Sequence, residues 1–225
     1  MTWRNTVQVG PGAAQAEIDR LGPVLAAQRW RTNGDLIADV ARLGYLRDTD
    51  WVLDATYGRG RFWTKWKPDL TRGGFVAHDL KTDGVDFRHL PHPDRSFDVG
   101  VLDGPYKLNG TPALGDFDQA YGVDRVSTWQ DRHTLIRDGI AELARVARRI
   151  VLVKCQDQVC SGAIRWQTDE FTDWALTLGL VKVDRFDLLG GGRPQPMEGR
   201  TQKHAHGRPS TLLVFRCPAR EVARG

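Results

Sequence analysis

Val99-Gly100-Val101-Leu102-Asp103-Gly104-Pro105-Tyr106 is an apolar run that stops abruptly at an acid, a glycine, a proline and an aromatic. A short run bounded by turn residues reads as a buried strand that delivers a rigid loop to one edge of a sheet. In a parallel sheet that edge is where ligands bind. Asp-Gly-Pro is also ordinary turn vocabulary, and Tyr106 taken alone is compatible with packing back on the core. A second strand-to-loop junction upstream, Trp51-Val52-Leu53-Asp54-Ala55-Thr56-Tyr57-Gly58-Arg59-Gly60, weighs against that plainer reading. Two acidic strand ends in one small α/β pattern ask for two ligands, or for one bipartite ligand.

Asp54-Ala55-Thr56-Tyr57-Gly58-Arg59-Gly60 resembles the cofactor loop of S-adenosylmethionine-dependent methyltransferases. Asp103-Gly104-Pro105-Tyr106 resembles the catalytic Asp/Asn/Ser-Pro-Pro-aromatic tetrapeptide of those that methylate exocyclic amino groups, as in phage and bacterial DNA N6-adenine and N4-cytosine enzymes. The resemblance runs roughly from Asn33 to Phe215 in the family's usual element order. It departs at Gly104, which stands where the first proline is usual. It implies an α/β fold of the Rossmann-like class I kind, a three-layer sandwich around a seven-stranded, mostly parallel sheet, with S-adenosyl-L-methionine as cofactor. The catalytic residues it implies are Asp103, Gly104, Pro105 and Tyr106.

At 225 residues and 40% hydrophobic, the chain can form one full-sized domain but not an additional target-recognition domain of the usual size. A net charge of +4 permits a polyanionic partner without demanding one. Cys155, Cys160 and Cys217 are too few and too irregular for a disulfide framework, and Cys-x4-Cys alone is not a zinc signal. The histidines His78, His89 and His92 have a proline-interrupted spacing without standard ligand geometry, so no metal is expected. The start Met1-Thr2-Trp3-Arg4-Asn5 lacks a signal-peptide pattern, and no apolar run reaches membrane-spanning length. The expectation is a cytoplasmic protein with no membrane partner.

In chain order, residues 1–31 read as an N-terminal extension or cap with a helix over Ala13 to Ala27, and 32–217 as the catalytic domain. From Asn33, the pattern Leu36, Ile37, Val40, Ala41, Leu43 predicts an amphipathic helix capped by Thr32 or Asn33 and closed by Gly44. In the resembled family a segment here often touches the methionine end of the cofactor, which nominates Thr32 and Asn33 beside their plainer reading as helix caps. Asp54, Ala55, Thr56, Tyr57, Gly58 and Gly60 form the cofactor loop, where glycine allows close approach and positive φ. A helix is expected to begin at Arg61 to Trp66. Gly74 to Asp79 reads as the second strand, and Asp79, 19 positions beyond Gly60, suits an acid accepting hydrogen bonds from ribose hydroxyls. Thr82 to Phe87 is expected as a short third strand. Asp86-Phe87-Arg88-His89-Leu90-Pro91 resembles the family's adenine-covering loop, with Phe87 or Leu90 against the ring and Asp86 on its amino group.

Lys107, assigned to substrate, opens a polar stretch through residue 130 that is read as a substrate lid. Asp131 to Arg149 is expected as a long helix, Ile150 to Lys154 as the fifth strand, and Thr168 or Asp169 as the cap of a helix through Leu178. Lys154 suits a phosphate contact or a salt link. Leu180 to Leu188 and Ser210 to Phe215 are expected to close the sheet as an antiparallel pair. The loop between them, 189–209, carries Arg193, Arg200, Lys203, His204, His206 and Arg208 against Glu198 alone, a candidate phosphate-contacting segment or a merely solvated insertion. Its Lys203-to-Pro209 portion also resembles the terminal region of many DNA amino-methyltransferases.

An exocyclic base amine is a poor nucleophile because its lone pair is delocalised into the ring. Asp103 and the Gly104 carbonyl can accept its hydrogen bonds and favour the localised lone pair in the transition state. Gly104 keeps that carbonyl while being expected to loosen the loop. Tyr106 is the expected stacking platform for an extruded base. The reading is a nucleobase amino-methyltransferase with nucleic acid as partner, DNA adenine N6 leading over cytosine. RNA base methylation and a non-catalytic nucleic-acid-binding module remain alternatives, and a homodimer or the two long loops would supply recognition. A dinucleotide oxidoreductase is disfavoured, since the third glycine of its fingerprint is missing. Cys155 follows the fifth strand and is read as structural, not as a C5-methylation nucleophile.

Overall fold

The computed structural model describes residues 30–108, 128–189, 203–204 and 209–219. The helix expected over Ala13 to Ala27, the interior of the 107–130 lid, and Arg193, Arg200, His206 and Arg208 lie outside the described residues.

Apolar residues run unbroken through several short segments, the pattern of strands covered on both faces. They form β1 (Trp51–Asp54), β2 (Gly74–Ala77), β3 (Phe97–Leu102), β4 (Ala147–Cys155), β5 (Gln158–Cys160), β6 (Ala163–Arg165), β7 (Val181–Leu188) and β8 (Ser210–Arg216). Among the described residues the main sheet has six strands in the order β2-β1-β3-β4-β8-β7, with β5 and β6 a separate hairpin. β2, β1, β3 and β4 are mutually parallel, while β8 runs antiparallel to both β4 and β7. The chain leaves β1 for β2 on one side and returns to β3 on the other. Strand order therefore reverses between β1 and β3, and in open α/β sheets the crevice outside the carboxyl ends at such a switch point is where ligands bind.

Helices α1 (Asn33–Arg42), α2 (Trp129–Val146) and α3 (Gln167–Thr177) complete the layers. Leu36, Ile37 and Val40 of α1 pack with Val52, Val99, Val101, Leu152, Phe62 and Trp63 on one face. On the other, Ile136, Ile140 and Leu143 of α2 and Phe171 of α3 pack with Leu53, Leu102, Val151 and Val153. α1 begins with the expected capping: Thr32 Oγ1 accepts from Asp35 N while Asp35 accepts from Thr32 N. It ends at Gly44, whose φ of 81° suits glycine.

Three expectations are corrected. Thr82 to Phe87 is not a strand, so among the described residues the sheet has six strands and not seven. Thr82 N and Asp83 N both donate to Asp79 O, and Asp83 Oδ1 accepts from Val85 N and Asp79 N. These turn bonds consume the backbone groups a ladder would need. The helix expected from Arg61 is a single 3-10 turn, Arg61–Thr64. The 131–149 helix instead spans Trp129–Val146, and β4 starts at the next residue, so Arg148 and Arg149 are strand residues.

Phe87 sits in the core on the α2 side. A Cβ built on Gly139 of α2 would lie 2.6 Å from the Phe87 ring. Helix propensity alone favours Gly139→Ala by about 1 kcal/mol, whereas overpacking costs about 1–3 kcal/mol. Gly139→Ala is expected to lower the urea midpoint, and Phe87→Leu in the same chain to recover part of the loss.

Candidate active site

The strand alternation decides which side chains meet at the crevice. Asp54 follows Val52 on the α1 face of β1, Lys154 follows Leu152 on the same face of β4, and Asp103 follows Val99 and Val101 at the end of β3. The β3–β4 register pairs Leu102 with Val153, and one step further sets Asp103 beside Lys154. Two carboxylates and an ammonium thus stand at the carboxyl ends of three adjacent parallel strands.

Asp54 is buried, and each of its oxygens accepts a hydrogen bond from the chain that follows it. Its Oδ1 accepts from Thr56 N at 2.9 Å and its Oδ2 from Trp63 Nε1 at 2.5 Å. Burial pushes its carboxyl up to about 7, against the pull of those two donors, and Asp103 and Asp79 add to the rise. Gly58 and Gly60 both have positive φ, 52° and 65°. A Cβ on Gly60 would strike the Tyr57 ring at 2.5 Å, so glycine lets that ring fold over its own turn. Tyr57 then packs edge-on to Phe75 in the α1-side core. A Cβ on Gly58 would find nothing nearer than 3.9 Å, with Asp79 Oδ2 and Thr56 O at that distance. Gly58 is exposed, so the loop backbone there is open to an approaching group.

Asp79 receives Gly58 N at 3.1 Å and Lys81 N at 3.0 Å, one donor on each oxygen. Each oxygen keeps acceptor capacity for a ligand hydroxyl. Ala55 N donates to Val101 O and Thr56 Oγ1 accepts from Asp103 N at 2.7 Å, which ties the glycine loop to the Asp103 loop. The first residue of α1, Asn33, accepts from Lys154 Nζ at 2.7 Å.

Asp103 is pushed up to about 6 by burial, a rise that Lys154 and then Lys107 oppose. Lys107 itself is exposed. The following residues are braced. Gln158 Nε2 and Gln167 Nε2 each donate to Tyr106 O at 2.7 Å, and Leu108 N donates to Gln158 Oε1. Gly104 O accepts from Tyr106 N at 2.8 Å and retains a second lone pair. Gly104 is buried, and a Cβ there would lie 2.6 Å from Ile136 Cδ1 of α2, so the missing side chain lets the loop sit close on the helix.

The adenine-loop candidates are placed differently from one another. Asp86 is clasped by Arg88, whose Nε reaches both carboxylate oxygens at 3.0 Å and whose Nη2 reaches Oδ2 at 2.5 Å. Phe87 is core, as described above. Leu90 is buried, its N donating to Glu142 Oε1 and its O accepting from Arg145 Nη2. Arg145 also donates to His92 O and Asp94 Oδ1, so α2 staples this segment at four points. In the 189–209 loop, Lys203 is exposed, and His204 Nε2 lies 3.2 Å from Gly162 O of the β5–β6 turn. Among the described residues no cluster of three or more His, Cys, Asp or Glu is placed to hold a metal. The three cysteines are buried thiols outside any disulfide.

Sequence reasoning passed over Trp63, Gln158, Gln167 and the Glu142–Arg145 staple, and left Lys154 open. Only Lys154 carries a legible signal, a lysine inside an otherwise apolar strand.

No family model and no curated protein matches the sequence. Among solved structures, the cyclase SpnF is similar at 14% identity over 92% of both chains, with a TM-score of 0.48. The 1,6-didemethyltoxoflavin-N1-methyltransferase of Burkholderia thailandensis, solved with its substrate and S-adenosylhomocysteine, is similar at 14% identity over 82% of this chain and 77% of its own, with a TM-score of 0.43. The N-methyltransferase NodS of Bradyrhizobium japonicum is similar at 14% identity over 82% and 95%, with a TM-score of 0.43. The sheet order, with its one reversed strand, has the Rossmann-like class I methyltransferase form. At these identities the likenesses carry nothing about a substrate.

Two measurements test the site's construction. The native carboxyl of Asp54 is raised above its unfolded value near 3.8, so the folded state binds more protons than the unfolded between about pH 4 and 7. The stability difference between wild type and Asp54→Asn is therefore expected to shrink as pH rises through that window, read by urea unfolding. Gly104→Ala is expected to destabilise by about 1–3 kcal/mol, with Ile136→Val recovering part of it in a double-mutant cycle.

Proposed function

We propose that the crevice binds S-adenosyl-L-methionine and that the chain transfers its methyl group to an exocyclic amino nitrogen of a nucleobase, N6 of adenine in DNA. The observation that carries this reading is the hydrogen bond from Asp103 N to Thr56 Oγ1. It joins a carboxylate-ended catalytic loop to a glycine loop at the point where strand order reverses.

Asn33, the loop Asp54–Ala55–Thr56–Tyr57–Gly58–Gly60 and Asp79 hold the cofactor, and the exposed backbone at Gly58 leaves room for the close approach this requires. Asp54 acts from beneath, fixing the loop through Thr56 N and Trp63. Asp86 and Leu90 border the adenine end, and Phe87 supports that border from the core. The bound cofactor supplies an electrophilic methyl group on a sulfonium. Asp103 accepts one N–H of the target amine and the free lone pair of Gly104 O the other, which favours a localised nitrogen lone pair. Positioning dominates, since the proton can leave after transfer. Pro105 fixes the separation of carbonyl and ring, and Tyr106 stacks on the base for about 1–3 kcal/mol. Inside a duplex the base must first leave the stack. Lys107, the 107–130 segment and the basic 189–209 loop, with Arg193, Arg200, Lys203, His204 and Arg208, contact the nucleic acid. No helix among the described residues is long and apolar enough to cross a membrane.

Labelled cofactor offered with duplex DNA, single-stranded DNA and bulk RNA, followed by nucleoside mass spectrometry, tests the target. N6-methyladenine in DNA supports the reading; label confined to RNA, or none, removes it. Asp103→Ala is expected to lower the rate about 100-fold or more. Asp54 and Asp103, raised to about 7 and about 6, gain negative charge as pH rises from 5 to 8. The affinity for the sulfonium cofactor relative to neutral S-adenosylhomocysteine should therefore rise several-fold, roughly three to ten, across that range by calorimetry.

A further inference from the structure

We propose that Lys154, anchored on Asn33 in the first turn of α1, is a positioning residue whose charge beside Asp103 favours the carboxylate form of Asp103. The inference rests on the methyl-transfer reading for its purpose, though not for its measurement.

Lys154 is 1% exposed, the largest of the fully buried side chains. An ammonium is rarely taken so far from water unless it is paired and hydrogen-bonded. Its Nζ donates to Asn33 Oδ1 at 2.7 Å and lies 5.4 Å from the centre of the Phe62 ring. The register of β3 and β4 sets it alongside Asp103 on the same face, where neighbouring strands run about 5 Å apart. The charged groups facing this pair are Asp54 from β1 and Lys107 from the Asp103 loop, while Cys155, next on β4, is a neutral thiol in the core on the opposite face. Asp79, beyond β2, acts on Asp54. Burial lowers the Lys154 ammonium and raises Asp103, and each opposes the other's change.

The consequence is chemical. A protonated Asp103 presents a donor where the target amine needs an acceptor. With Asp54 nearby, a second buried carboxylate would readily keep its proton at neutral pH. Lys154 supplies the opposite charge, and its anchorage on Asn33 links that charge to the helix bordering the cofactor crevice.

The test is a carbon-13 NMR titration of the Asp103 carboxylate, assigned with Asp103→Asn, in wild type, Lys154→Met, Lys154→Gln and Lys154→Arg. Thermal melts establish that each is folded. Met removes charge while keeping bulk, and Gln keeps a polar end able to meet Asn33. The expected result is an Asp103 midpoint raised by about one pH unit or more in both neutral variants, and restored toward wild type in Lys154→Arg. An unchanged midpoint in either folded neutral variant would overturn the proposal. Calorimetry with S-adenosylmethionine on the wild-type sample reports on the cofactor reading separately, so the two can fail independently. With an active preparation, the acidic limb of the kcat–pH profile should move with the NMR midpoint in Lys154→Met, a displacement that a merely structural lysine would not cause.

Discussion

Taking Asp54, Asp103 and Lys154 out of water at three neighbouring strand ends costs several kcal/mol for each group that stays charged, and much of the surrounding architecture serves to offset that cost. Asp54 is met by a backbone amide and an indole, Lys154 by an asparagine, and Asp103 by the charge of Lys154. These partners come from the glycine loop, the 3-10 turn, the start of α1 and the end of β4. Each element is therefore held at the crevice by a polar requirement as well as by apolar packing. The glycine loop need not rely on glycine for its shape alone, because Asp54 grips it from within and Thr56 binds it to the Asp103 loop.

The loop after β3 is tighter than its composition suggests. Proline next to glycine reads as one stiff residue beside one free one. In the fold the freedom of Gly104 is spent on proximity: its backbone lies against Ile136, and the Tyr106 carbonyl is held by two glutamines from β5 and α3. A proline at 104 would bring a Cβ into that contact. Glycine at 104 is thus matched by the helix beneath it.

The central architecture was legible because its signals are local. Apolar runs ending in Asp54 and Asp103, a capping box at Thr32 and the closing pair β7–β8 can all be read from a few adjacent residues. What escaped depends on residues far apart in the chain. Trp63 reaches Asp54, Gln167 reaches Tyr106 across 61 positions and Arg145 reaches Leu90 across 55, and no periodicity announces such pairs. The missing third strand failed for a different reason. Val85 and Phe87 have strand-like character, but Asp79, Asp83 and Gly84 offer the backbone a cheaper set of turn bonds.

That loss changes how the crevice is bounded on its β2 side. An added strand would have fixed the Asp86–Asp94 segment through a ladder; here α2 holds it through Glu142 and Arg145, with His78 and His92 facing each other at 2.8 Å and Asp83 on the far side of His78. The same helix carries Ile136 under Gly104 and Gly139 under Phe87. One element therefore sets the height of the Asp103–Tyr106 loop and the position of the Asp86–Asp94 segment. A shift of α2 moves both together, so the spacing between the two halves of the site is carried by the helix and not by the sheet edge.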